Sequence, residues 1–199
     1  MNCTAPAPEL LVDHTGCPKP RLAMPLAYEQ ARLGMAFHEA GHAVLSLAYG
    51  MRVVTSEVIA WTPEEGGWCL TGSTAYQMRS VHAWRFAAQA AAGSIAQVNY
   101  LMAYGLWTPE RASGCAALHD REQAIDVLAQ HGFAIGRGHV PAGGKSWAMV
   151  QGMARRKIGH LWREIRTVAH AMDEHTVLTG DEIADLTGLS NPQFGEAAA

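Results

Sequence analysis

The sequence predicts an α+β fold, mainly helical, and three observations carry that prediction. A segment over about 26–49 has helical apolar spacing and holds two histidines four residues apart. Two runs of strand-like composition follow it, separated by a Pro/Gly turn. The rest of the chain returns repeatedly to a helical period, with glycine and proline at the breaks.

Residues 1–24 carry Pro6, Pro8, Pro18 and Pro20 without sustained periodicity. They are expected to form a proline-rich arm, either lying on the domain or largely disordered. The domain itself is expected over 25–188.

Pro25 can open the first helix and Gly50 can close it. Leu33, Phe37, Val44 and Ala48 give it a buried side. The centre of this segment reads Phe37-His38-Glu39-Ala40-Gly41-His42-Ala43-Val44. Residues four apart lie one above another on a helix, so His38 and His42 can aim two imidazoles at one metal ion. Glu39 is turned about 100° from His38, which puts its carboxylate beside such an ion rather than on it. There it can take a proton from a water that the ion has acidified, as that water attacks a carbonyl. At this chain's His and Glu frequencies about 0.03 chance matches are expected, so the pattern is specific. The competing reading is a polar helix face whose histidines are merely solvated.

Residues 53–61 and 68–75, around the turn Pro63-Glu64-Glu65-Gly66-Gly67, read as a small antiparallel sheet. A free sheet edge beside a cleft can pair with an extended peptide. The alternative is a hairpin that only covers the core. Residues 79–104 read as one Ala-rich buried helix, in which Gly93 and its small neighbours let another helix approach. Thr108-Pro109-Glu110 begins a loop or short turn, and 116–130 is a further helix carrying His119-Asp120. Five glycines at 132, 136, 138, 143 and 144 make 131–146 a mobile loop able to cover a site. Its end, Gly144-Lys145-Ser146, imitates a phosphate loop, but the first glycine of that pattern would fall at His139, so no nucleotide site is expected.

From 147 to 172 the apolar positions Trp147, Val150, Ala154, Ile158, Leu161, Ile165 and Val168 predict one long amphipathic helix. Thr179-Gly180-Asp181-Glu182 is a capping box that starts a last short helix, ended near Gly188. Residues 189–199 are expected to be a flexible tail.

A hydrophobic fraction of 49% and a charged fraction of 17% fit one folded domain. The net charge of -3 argues against nucleic acid as a partner. The four cysteines, Cys3, Cys17, Cys69 and Cys115, form no C-x-x-C pair, which points to neither a disulfide framework nor a structural zinc knuckle. A reducing cytoplasm is the expected compartment. No run approaches the length of a membrane span, so no membrane contact is expected.

A catalytic zinc takes three protein ligands and keeps one position open. The variant with a third histidine in the same segment would need glycine at Leu45 and histidine at Ala48, and is excluded. Glu57 and Glu64 fall in the hairpin, and 79–104 contains no acid. The next acids in a helical context are Asp120, Glu122 and Asp126, and spacing alone leaves that choice open.

Four stretches together resemble the peptidase unit of the FtsH-type ATP-dependent zinc proteases. They are the His38 motif, Ala92-Gly93-Ser94-Ile95-Ala96, His119-Asp120-Arg121-Glu122-Gln123-Ala124 and Leu178-Thr179-Gly180-Asp181-Glu182-Ile183, in the family's order over about 25–188. The resemblance implies a zincin-like metal helix, a small antiparallel sheet and a C-terminal helical subdomain. It implies Zn2+ held by His38, His42 and Asp120, with Glu39 as general base. The implied activity is that of a zinc metalloendopeptidase acting on flexible or unfolded polypeptides, with His119 a candidate for stabilising the oxyanion. Gln97 stands where the family has an acid, and the 131–146 loop is shorter and richer in glycine. The family's membrane helices and ATPase module are absent from these 199 residues, so hexamers and ATP-driven threading do not carry over. A polypeptide substrate is the expected partner; a homo-oligomer and a separate ATPase acting in trans stay open. The rival reading is a catalytically silent zinc-binding adaptor that offers its hairpin or long helix to a partner. An intact Glu39 speaks against it, because a structural zinc has no need of a base.

Overall fold

The computed structural model describes residues 6–20 and 25–194. Its fold is α+β and mainly helical, with a small antiparallel sheet.

The arm lies on the domain as a small hairpin. A 3-10 turn spans Pro8–Leu11, and Val12 pairs with Pro18. Asp13 ties the bend between them, its Oδ1 accepting from Thr15 N–H (2.9 Å), the Thr15 hydroxyl (2.6 Å) and Cys17 N–H (3.0 Å).

Helix α1, Tyr28–Ala48, carries the metal motif. It starts where the Gln30 side chain accepts from Ala27 N–H at 3.3 Å, and it stops before Gly50, whose φ of +79° suits glycine. Every residue from 36 to 47 is buried, so α1 is the axis of the molecule rather than a surface helix. Helices α3 and α7 and the sheet surround it. Phe37 stacks between Tyr100 (4.9 Å) and Trp162 (5.3 Å), which anchors the side of α1 away from the sheet.

Strands β1, Arg52–Trp61, and β2, Cys69–Gln77, form the expected hairpin, with Val58 opposite Gly72. A three-residue strand, β5 at Val177–Thr179, adds to the other side of β1 and leaves β2 at the edge. So short a strand has no periodicity to read.

The single helix expected over 79–104 is two, α2 at Ala83–Ala90 and α3 at Ala92–Ala103. The break falls beside Gln89, whose carbonyl accepts from His42 Nδ1 as well as from a backbone N–H at the helix end. Helix α4, Pro109–Gly114, is capped by Thr108 where a loop or short turn was expected, and α5 spans Leu118–Gln130. The glycine-rich 131–146 segment holds two short parallel strands, β3 at Ile135–Gly136 and β4 at Lys145–Ser146.

The long helix expected over 147–172 is α6, Trp147–His160, and α7, Trp162–His175, parted at Leu161. A one-residue break barely disturbs apolar spacing, so the pattern runs through it. Beyond it Trp162 reaches Phe37, and Arg32 of α1 bonds the Asp173 carboxylate at 2.5 Å. Helix α8, Gly180–Thr187, has the capping box, with Glu182 Oε2 accepting from Thr179 N–H at 2.7 Å, and it ends at Gly188 with φ +69°. Asn191 then bonds both backbone groups of Val53, at 3.0 and 3.1 Å, so specific contacts continue past 188.

Among the described residues Cys17, Cys69 and Cys115 are unbonded thiols; Cys3 lies outside them. No helix of the described residues is long and apolar enough to cross a membrane.

Candidate metal centre

Two turns of α1 and the start of α5 bring three donor atoms together. His38 Nε2 and His42 Nε2 are 3.1 Å apart, and Asp120 Oδ2 lies 3.3 and 3.2 Å from them. Among the described residues these three form a group able to hold a metal ion. Tetrahedral zinc with nitrogen and oxygen ligands near 2.0–2.1 Å needs ligand atoms about 3.3 Å apart, so the triangle has the right size. Of the three acids that spacing left open, the fold brings Asp120, the one the resemblance implied, to the histidines. Glu122 turns to Arg121 and Arg137, and Asp126 pairs with His14 at 2.8 Å.

Each imidazole is oriented from behind. His38 Nδ1 donates to Gln97 Oε1 (3.2 Å) and His42 Nδ1 donates to the Gln89 carbonyl (3.0 Å). With Nδ1 donating, Nε2 is the free ligand atom on both rings. Gln97 supplies a neutral acceptor at the position where the resembled family has an acid.

Gly93 of α3 faces this triangle. A Cβ there would sit 2.5 Å from His38 Cδ2 and closer still to both Nε2 atoms. The missing side chain leaves open the space in front of the donors, where an ion would be held. The close helix approach expected around Gly93 is present: an added Cβ on Gly41 of α1 would be 2.8 Å from Ala92 O and Ala96 Cβ, two of the small residues flanking Gly93.

Glu39 is 5% exposed and stands beside the triangle without joining it. Its Oε2 accepts from the Thr74 hydroxyl at 2.7 Å, and Thr74 is itself held by Ser56 at 2.8 Å. Gly72 of β2 makes room for the carboxylate; a Cβ there would be 2.5–2.6 Å from Glu39 Cγ and Cδ. Gly72 and Thr74 carry no motif in the sequence, and Gly93 signals helix packing and the family resemblance there, not the space in front of the donors. Only a residue that must be small because of a distant neighbour distinguishes such glycines, and that neighbour is not readable from the chain.

The electrostatics follow the packing. Burial pulls the His42 pKa down, but the charge and hydrogen bond of Asp120, with help from Glu39 and the Gln89 carbonyl, push it up to about 9. Burial raises the Asp120 carboxyl, yet the two imidazoles outweigh it and hold the carboxyl well below its ordinary value. His119 lies 3.3 Å from Asp120 Oδ1 and is not one of the three; burial holds its pKa below the usual imidazole value. Tyr76 of β2 lines the same cavity, and burial pushes its phenol up to about 12, so it remains an O–H donor at neutral pH.

Compared with known proteins, the chain matches no family model and no curated sequence.

Proposed function

We propose that this chain is a zinc-dependent endopeptidase of FtsH type, acting on flexible or unfolded polypeptides. One observation carries the reading: a buried carboxylate, Glu39, is fixed by Thr74 beside a three-donor group without being spent as a ligand. A structural metal site has no use for such a group, whereas hydrolysis needs a base there.

Zinc bound by His38, His42 and Asp120 would supply Lewis acidity toward a water and toward the scissile carbonyl. The rest falls to side chains of this chain. Glu39 takes the proton of the attacking water and delivers it to the leaving amine. Thr74, bonded to Oε2, leaves Oε1 on the Gly72 side for that transfer. Gln97 and the Gln89 carbonyl fix the imidazole planes, and the Tyr76 hydroxyl and His119 are neutral groups facing the developing oxyanion side of the cavity. The edge position of β2 offers backbone groups to an extended substrate.

The test is Glu39→Gln. The variant should keep its metal, because no donor atom is removed, while cleavage of an unfolded protein falls at least about a hundredfold. Full metal content in the wild-type chain together with no cleavage of any unfolded substrate would refute the peptidase and favour the adaptor.

A further inference from the structure

Two cavities of about 320 and 410 Å3 meet at the metal group. The first is lined on the β2 side by Ser73, Thr74 and Tyr76 and is polar. The second is lined by Met35, Trp61, Trp68 and Leu70 and is mainly apolar. Both include His38, Glu39, Gly72 and His119, so they are two halves of one groove that follows β2 past the site. The N-terminal arm walls both halves. Leu10 and Asp13 border the polar half, Leu11 and Pro18 the apolar half, and Lys19 both.

We propose that residues 8–19 are a closing strap, which covers this groove in the resting protein and lifts as a unit to admit a chain. Its value as regulation rests on the peptidase reading; the movement itself does not. Three features support it. First, the strap is held together internally, by the Asp13 bonds and by backbone bonds from Lys19 N–H to Leu11 O (2.8 Å) and Asp13 N–H to Cys17 O (2.7 Å). It can therefore leave the groove without losing its own shape. Second, none of its residues is fully buried; Leu10, Leu11 and Val12 are partly covered but are not among the residues packed against the core. A permanent wall of a binding groove would be expected to have an apolar anchor there. Third, the contact that clasps its bend to the body is the hydrogen bond between His14 Nε2 and Asp126 Oδ2, 2.8 Å apart. Asp126 is half exposed and lies on α5, the helix that carries Asp120. A single hydrogen bond to a half-exposed carboxylate is weak, and segments held by such contacts populate open states. The clasp therefore ties the cover to the ligand-bearing helix by a contact that is cheap to break.

Cys69 reports on the movement, because it lines the apolar half of the groove opposite Leu11 and Pro18. The experiment measures the rate at which a bulky maleimide labels Cys69 in the full chain, read by peptide mass spectrometry. Wild type is compared with His14→Ala, Asp126→Ala and the charge swap His14→Asp with Asp126→Lys. Each single variant should speed Cys69 labelling roughly two- to fivefold, the range expected for loss of one weak surface hydrogen bond. The swap should return it toward the wild-type rate, and Cys17, already exposed on the bend, should label equally in all four. Unchanged or slower Cys69 labelling in both single variants overturns the strap, as does a rise that the swap fails to reverse. Cleavage of an unfolded substrate is followed in parallel. Faster labelling without any cleavage would leave the strap standing and sink the peptidase; cleavage with unchanged labelling would do the reverse.

Discussion

A methyl group on Gly93 would point at both ligand nitrogens, whereas one on Gly72 would press on the base. The two sites therefore predict separable defects. Gly93→Ala should lose most bound metal, because its Cβ competes for the ion's place and the imidazoles are held from behind and cannot retreat. Gly72→Ala should keep the metal but lower kcat about tenfold or more, because Glu39 can swing aside only by leaving Thr74. Metal analysis and peptide kinetics on the two purified variants check both; the same defect in both would contradict the assignment. Protonation gives a further prediction. In the metal-free chain His42 titrates near 9, above its ordinary 6.5, so at pH 7 it holds a proton that the ion must displace. Metal affinity should therefore rise with pH, by up to about tenfold per unit, and level off above pH 9. Titration calorimetry in buffers of different ionisation enthalpy would show a proton released on binding at pH 7. The same shifts set a stability window for the metal-free fold. The raised His42 contributes fully below 6.5 and its share is lost as pH rises through about 9; the lowered Asp120 contributes above 3.8 and its share is lost as pH falls.

At the scale of elements, the contact between α1 and α3 sets the site, since α1 supplies both histidines and Glu39 while α3 supplies Gln97 and Gly93. At Gly41 the backbone of α3 comes close enough that an added Cβ would meet the Ala92 carbonyl. Replacing Gly41 with alanine gains about 1 kcal/mol of helix propensity. Against this, the new Cβ meets the Ala92 carbonyl at 2.8 Å, and a backbone atom cannot rotate away as a side chain can. Overpacking of that kind costs about 1–3 kcal/mol, so the net effect of Gly41→Ala is destabilising. Thermal unfolding should show a Tm lower by a few degrees. Metal affinity should fall with it, because spreading the helices moves Gln97 away from His38. An unchanged Tm with unchanged affinity would show that the helices can separate freely.

For the whole molecule, the groove decides what can reach the metal group. It runs along the edge strand and has the arm as a further wall, so it suits a single extended chain rather than a folded surface. On the proposed peptidase reading a flexible peptide would enter once the arm is lifted, whereas a stable protein would first have to unfold locally. The isolated chain should therefore cleave a casein-like substrate and leave a stable globular protein largely intact, and added ATP should not change either rate. Equal attack on both substrates would mean that the groove opens far wider than a strap allows.

The sequence by itself determined the metal helix and the sheet hairpin. The spacing of His38 and His42 has one geometric meaning on a helix, and the runs around Pro63-Glu64-Glu65-Gly66-Gly67 have one compact solution. Thr179 to Gly188 was legible for the same reason, since caps act within a few residues. What the tertiary structure decided lies between distant parts of the chain. The choice of Asp120 over Glu122 and Asp126 depends on which face of α5 meets α1; spacing alone left all three acids open, and only the family resemblance pointed to Asp120. The helix breaks at Ala91 and Leu161 leave the apolar spacing uninterrupted, so the pattern concealed them. The arm's place over the groove is set by weak surface contacts such as His14 with Asp126, 112 residues apart, and local pattern carries no trace of a partner that remote.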